Sequence, residues 1–143
     1  MSELELKGKT ALVTGASKGI GKASALKLAS MGANIAVNYF SSENEALDTV
    51  KEVQSLGVDA FAVQANVGKL DEVDSMISEI IKKFEKIDIL INNAGIIQDG
   101  LLLRMSDEAW SKVIDTNLNG TFYCSRAAIK LMFKSRWGRI SQR

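Results

Sequence analysis

The sequence predicts an α/β chain built on a doubly wound parallel sheet, and three observations carry that prediction. Short runs rich in β-branched and apolar residues recur along the chain: TALVT at 10–14, NIAVNY at 34–39, DAFAVQ ending at Gln64, and DILIN at 88–92. Longer segments with apolar residues at helical spacing separate them. A cluster of glycines, Gly15, Gly19 and Gly21, follows the first run at once. Repeated alternation of strand and helix makes each strand return to the same sheet through a crossover, which favours parallel pairing and right-handed connections.

Each element has its own warrant. The first strand ends at Thr14 and a helix begins near Ile20, so the intervening turn lies at the carboxyl edge of the sheet, where open α/β folds bind ligands. Gly15 supplies a turn conformation closed to other residues. Gly19 lets the backbone approach a pyrophosphate, whose charge would face the free N–H groups and positive end of the new helix; Gly21 permits close helix-to-strand packing. The spacing is Gly-x-x-x-Gly-x-Gly, not Gly-x-Gly-x-x-Gly. After the second strand, Ser42 followed by Glu45 reads as a capping box, Leu47, Val50 and Val53 as a buried stripe, and Gly57 as a stop. Val73, Ile77, Ile80, Ile81 and Phe84 give the next helix one apolar face. A last helix is expected from Ser106 past Lys130, because Trp110, Val113, Ile114, Leu118 and Phe122 keep helical spacing.

At 143 residues, with 46% hydrophobic and 24% charged content, the chain reads as one globular domain over 1–143 without repeat or linker. A net charge of +1 with interleaved signs argues against nucleic acid or a membrane surface as partner. No apolar run approaches a membrane span and MSELELKGK lacks the hydrophobic region of a secretory signal, so a cytoplasmic location is expected. The absence of histidine removes His-based acid/base chemistry and most zinc sites, and no metal site is expected. Cys124, a single cysteine, allows no internal disulfide and is expected to be a small buried apolar residue. With no proline, turns rest on Gly, Asn, Asp and Ser.

TGASKGIG at 14–21 together with NNAG at 92–95 resembles the short-chain dehydrogenase/reductase family, whose fold is a single Rossmann-type doubly wound domain binding NAD or NADP. DGLLLRM at 99–105, the Trp110 context and VIDTNLNG at 113–120 look most like the bacterial 3-oxoacyl-[acyl-carrier-protein] reductases of fatty-acid synthesis. The resemblance runs from Leu6 to Ile140. It implies reduction of a carbonyl to a hydroxyl by hydride transfer on a substrate carried by acyl carrier protein, and a tetrameric assembly. It also implies a cofactor-binding set: Gly15, Ala16, Ser17, Lys18, Gly19, Ile20 and Gly21 in the loop, Ser41 after the second strand, Asn66 and Val67 at the end of the third, and Asn93, Ala94 and Gly95 at the end of the fourth. Asn66 stands where relatives usually carry an aspartate at the adenine. NADP(H) is the expected cofactor, because no acid that could bind a ribose 2′-hydroxyl occurs between Asn38 and Ser41, while Lys18 can meet a 2′-phosphate. Arg136 matches a basic residue through which such reductases contact the acidic carrier protein.

The family's catalytic set is a serine, a Tyr-x-x-x-Lys pair and an asparagine, and only the asparagine has a match, Asn117. Four residues beyond Tyr39 lies Glu43, and four beyond Tyr123 lies Ala127. SRWGRI at 135–140 reads as the approach to the fifth strand, and Ser141 falls too early to be the catalytic serine. The expectation is therefore a cofactor-binding domain truncated at about the fifth strand, lacking the catalytic and substrate-binding part and inactive alone. A non-catalytic nucleotide-binding or subunit-interaction module, or one half of a split reductase, are the alternatives. An uncovered sheet edge would make the isolated chain marginally stable. Phe122 and Met132 are candidates for a subunit interface, and the tetramer is not expected to survive truncation.

Overall fold

A computed structural model describes residues 4–94 and 106–142. Strands β1 (Thr10–Val13), β2 (Asn34–Tyr39), β3 (Ala60–Gln64), β4 (Ile89–Asn92) and β5 (Arg139–Gln142) alternate with helices α1 (Gly19–Ser30), α2 (Glu43–Gln54) and α3 (Leu70–Phe84). Between β4 and β5 lie α4 (Asp107–Ile114), a π-helical turn (Asp115–Asn119) and α5 (Gly120–Ser135). All pairings are parallel, in the order β3-β2-β1-β4-β5. The chain thus builds outward from β1 in one direction, then crosses back to place β4 on its other side. Such a reversal opens a crevice beyond the strand ends, between β1 and β4.

Alternation along the strands sorts side chains to two cores. Ala11, Val13, Ile35 and Val37 face α1 and α2, where they meet Ala25, Ala29, Ala46, Val50 and Val53. Leu12, Ala36, Val63 and Leu90 face the opposite layer, meeting Val73, Met76 and Ile80 of α3 and Cys124, Ala128 and Met132 of α5. The sheet is anchored at its amino edge by Asp88. Its buried carboxylate accepts from the Thr10 N–H at 2.8 Å and pairs with Lys86 Nζ at 3.1 Å.

Several expectations are corrected. Ser42 stands at the start of α2, but its hydroxyl makes no capping bond, and its backbone (φ −95°, ψ 62°) departs from the extended conformation typical of a capping residue. Leu47 is exposed, whereas Ala46, Thr49, Val50 and Val53 are buried, so the buried stripe of α2 is centred on Ala46, Val50 and Val53 and Leu47 stands outside it. The expected single last helix is interrupted by the π-helical turn. Its extra residue rotates every later position by about 100° relative to an unbroken α-helix. Leu118, within the turn, and Phe122 beyond it face outward, and α5 buries Gly120, Cys124, Ala128 and Met132 instead. Met132, an interface candidate, belongs to the core. The third strand ends at Gln64, so Asn66 and Val67 lie beyond it. No helix among the described residues is long and apolar enough to cross a membrane.

Candidate functional site

A cleft of about 410 Å³ lies at the carboxyl edge of the sheet, walled by the segments that leave β1, β2, β3 and β4. Gly15, Ser17 and Lys18 line one side. Tyr39, Phe40, Ser41 and Ser42 line the β2 side, Ala65, Asn66 and Val67 the β3 side, and Asn93 and Ala94 the β4 side, with Asn38 at the base. The sequence-expected cofactor residues thus converge, although they come from four separate loops. Ala16 is fully buried, Gly21 is buried beneath the loop, and Ile20 is half exposed, so these shape the loop and do not wall the cleft. Gly95 lies outside the described residues.

The glycines answer distinct steric demands. Gly15 adopts φ +61°, and a Cβ there would lie 2.9 Å from Ala94 Cα. A Cβ on Gly21 would run into the Gly15 carbonyl and the Asn93 side-chain amide, so the first turn of α1 rests on the loop itself. Gly19 has φ +62° and open space where its Cβ would stand, which leaves its backbone free to approach a ligand.

Hydrogen bonds hold the loops in register. Thr14 Oγ1 accepts from the backbone N–H groups of Asn93 and Ala94, each at 2.9 Å, and Asn93 Nδ2 donates to the Gly15 carbonyl at 2.9 Å. Thr49, buried on α2, directs its hydroxyl to the Ser17 carbonyl at 3.1 Å, with the Glu45 carbonyl at the same distance. Asn38 Oδ1 accepts from the Gly15 N–H at 3.1 Å. Asn66 Oδ1 accepts from Gly68 N–H, while its own N–H donates to Glu72. Burial raises the Tyr39 phenol pKa, with Glu43 and then Glu79 adding negative charge, so the ring stays neutral at physiological pH.

Asn117 sits on the π-helical turn, at the same end of the sheet: Gly120, which follows the turn, is packed so tightly on Val67 that a Cβ would lie 2.7 Å from Val67 Cγ2. Thr121 donates its hydroxyl to the Asn117 carbonyl at 2.9 Å. Arg136 is not part of this cluster. It ends α5 in a left-handed conformation (φ 61°) and precedes β5, which places it at the amino edge of the sheet, in an apolar groove with Ile129, Met132, Phe133, Trp137 and Ile140. Thr14, Asn38, Tyr39, Phe40, Ser42, Thr49 and Ala65 also line or brace the site, although none of them stands in the cofactor-binding set expected from the sequence. The signal available for Asn38 was an amide inside an otherwise apolar strand run. Among the described residues, no group of His, Cys, Asp or Glu side chains could hold a metal ion.

Comparisons with known proteins agree with this geometry. The chain is 52% identical over 132 residues to the 3-oxoacyl-[acyl-carrier-protein] reductase FabG of Staphylococcus aureus, covering 92% of this chain and 54% of that protein. It is 53% identical over 135 residues to the 3-oxoacyl-[acyl-carrier-protein] reductase of Synechocystis, covering 94% and 55%. The chain therefore spans about half the length of the curated relatives it matches. In structure it is similar to a short chain dehydrogenase from Burkholderia cenocepacia solved in complex with NADP, with a TM-score of 0.88 and 34% identity over 96% of this chain and 55% of that one. The model of the short chain dehydrogenases matches from residue 9 to residue 142, across all five strands and the whole cleft, and the chain belongs to that family.

Proposed function

We propose that the chain is the NADP(H)-binding part of a 3-oxoacyl-[acyl-carrier-protein] reductase, acting in the cytoplasm. The observation that carries this reading is the chemistry of the cleft wall beyond β2. Ser41 and Ser42 stand there beside Tyr39 and Phe40, with no acid before Glu43, and Lys18 lines the same cleft from the glycine loop. An ammonium and hydroxyls suit a ribose 2′-phosphate; a carboxylate at this place would repel it. The names of the Staphylococcus and Synechocystis relatives support the substrate class, and the NADP complex of the Burkholderia neighbour supports the nucleotide.

The residues present fit such a cofactor. Gly19 leaves open space for a pyrophosphate against the start of α1, and Ala65 and Val67 offer apolar surface beside Asn66 for an adenine. When bound, NADPH supplies hydride to a carbonyl carbon. The first-turn N–H groups of α1 and the positive end of its dipole would hold the pyrophosphate. Lys18 and Ser41 would hold the 2′-phosphate, Asn93 and Ala94 would stand beside the dinucleotide, and Asn117 would belong to a proton relay. The 143 residues contain no Tyr-x-x-x-Lys, so we assign proton delivery and substrate enclosure to residues outside them. Arg136, at the other edge of the sheet, is the proposed contact for the carrier protein, and the whole reductase is the proposed homotetramer.

Calorimetric titration of the purified chain with NADPH and then NADH tests this reading, with oxidation of NADPH by a 3-oxoacyl thioester followed on the same sample. NADPH should bind, NADH should bind at least about tenfold more weakly, and no oxidation should occur; one lost charge-assisted contact is worth about that factor. Lys18→Ala should remove most of the preference and leave NADH affinity unchanged. Absence of nucleotide binding sinks the proposal, and turnover would refute the placement of catalysis elsewhere.

A further inference from the structure

We propose that Asn38 is the positioning residue of the nucleotide cleft: its amide ties the glycine loop to the ends of β2 and β3, and NADPH and NADH binding depend on it equally. The inference rests on the nucleotide-binding reading above and concerns a residue that the loop motif does not contain.

The β1–β2 ladder ends at the Val13↔Val37 pair, and beyond it the glycine loop leaves the sheet. Asn38, next in β2, is 1% exposed. Its Oδ1 accepts from Gly15 N–H at 3.1 Å, taking the place of a ladder bond that the departing strand can no longer make. Its Nδ2 lies 3.3 Å from the carbonyls of both Val63 and Ala65 and 3.4 Å from that of Tyr39. Only one orientation of the amide satisfies these neighbours, since a flipped group would set an NH2 against an N–H and an oxygen against carbonyls. The Asn38 carbonyl also accepts from Ala16 N–H at 2.9 Å.

Two consequences follow for ligand binding. The N–H groups of Gly15 and Ala16 are engaged within the protein, so phosphate must be met by donors further along the loop. The separation between that loop and the wall from Tyr39 to Ser42 is set in part through this side chain, beside the Ala16 N–H bond to the Asn38 carbonyl and the Thr49 bond to the Ser17 carbonyl. A nucleotide that spans loop and wall will feel any change in their spacing whether or not it carries a 2′-phosphate. Asn38 thus differs from Lys18, whose loss should weaken NADPH alone.

The test pairs amide hydrogen exchange, read by NMR on the 143-residue chain, with calorimetry of wild type, Asn38→Asp and Asn38→Leu against both nucleotides. Gly15 N–H should be protected in the free wild-type chain. Asn38→Leu should abolish that protection and weaken NADPH and NADH by a similar factor, about tenfold or more for the bonds lost. Asn38→Asp retains the acceptor for Gly15 but loses both donors, and should weaken both nucleotides while leaving Gly15 protected. Unchanged affinities in a folded Asn38→Leu chain would overturn the proposal, as would a loss confined to NADPH. Should the variants fail to fold, an unprotected Gly15 amide in the wild type refutes it and a protected one supports it. A wild-type chain that binds neither nucleotide defeats the functional reading separately, because Gly15 exchange still decides whether the tie exists.

Discussion

Cys124 carries an ionisable group where no water reaches it, and this makes its pH behaviour a test of packing at a single residue. Its thiol is fully buried against the α3 layer, and burial pushes its pKa from 9.0 up to about 12. Below pH 9.0 the thiol is neutral in both folded and unfolded chains, and the stability that its burial gives is fully present. Between 9.0 and about 12 the unfolded chain releases a proton that the folded chain retains, so stability falls as pH rises. The slope is on the order of 1.4 kcal/mol per pH unit across that window. Thermal unfolding from pH 8 to 11 should show a steeper loss in wild type than in Cys124→Ala. Iodoacetamide at pH 8.5 should label the thiol only after denaturation. Equal labelling of native and denatured chain would mean that α5 does not seat against the sheet as described.

Among elements, α3 and α2 offer a matched pair of substitutions. Met76 is 1% exposed among Val73, Ile80 and the sheet, so Met76→Ala should cost about 2–5 kcal/mol, whereas Leu47→Ala, at a site 43% exposed, should change stability by no more than about 0.5 kcal/mol. Urea unfolding of both variants measures this, and similar costs would contradict the assigned helix faces. The helix faces also show what was legible in the sequence. Strand positions could be read to within about a residue, because parallel strands covered on both faces leave continuous apolar runs. Val73 and Ile80 follow directly from α3's period. Leu47 does not, because hydrophobicity alone cannot tell a residue at the centre of a stripe from one on its flank. Beyond the π-helical turn, counting at 3.6 residues loses phase, and no residue type in DTNLN announces that extra residue. At the site, the glycine loop and the residues after β3 and β4 could be found from motif and strand ends. The roles of Asn38 and Thr14 could not, since they lie in hydrogen bonds to residues 23 or more positions away.

At the scale of the whole molecule, the asymmetry of the sheet decides how the chain should behave in solution. β5 pairs with β4 on one side, and all four of its residues are exposed. Next to it, the groove at the amino edge carries Ile129 at 52%, Phe133 at 84% and Ile140 at 37% exposure, while Leu118 and Phe122 stand out from the helical layer. A strand edge with apolar side chains beside it is a template for pairing with another chain, and native proteins blunt such edges with charge. Arg139 only partly does so, because its guanidinium is held over the Trp137 ring, 5.0 Å from its centroid. The chain should therefore self-associate as its concentration rises, with an apparent mass by sedimentation above that of a monomer. Phe133→Lys and Ile140→Lys should each reduce the association; the first should leave thermal stability within about 0.5 kcal/mol of wild type, because so exposed a side chain contributes little to the fold. The cleft proposed for NADPH lies at the opposite edge of the sheet, so on that proposal saturation with NADPH should raise the unfolding temperature without altering the association. At about 100 times its dissociation constant a ligand adds roughly 2.7 kcal/mol of stability. A wild-type chain that stays monomeric at every concentration would show the edge to be protected, and association abolished by NADPH would place the contact at the cleft.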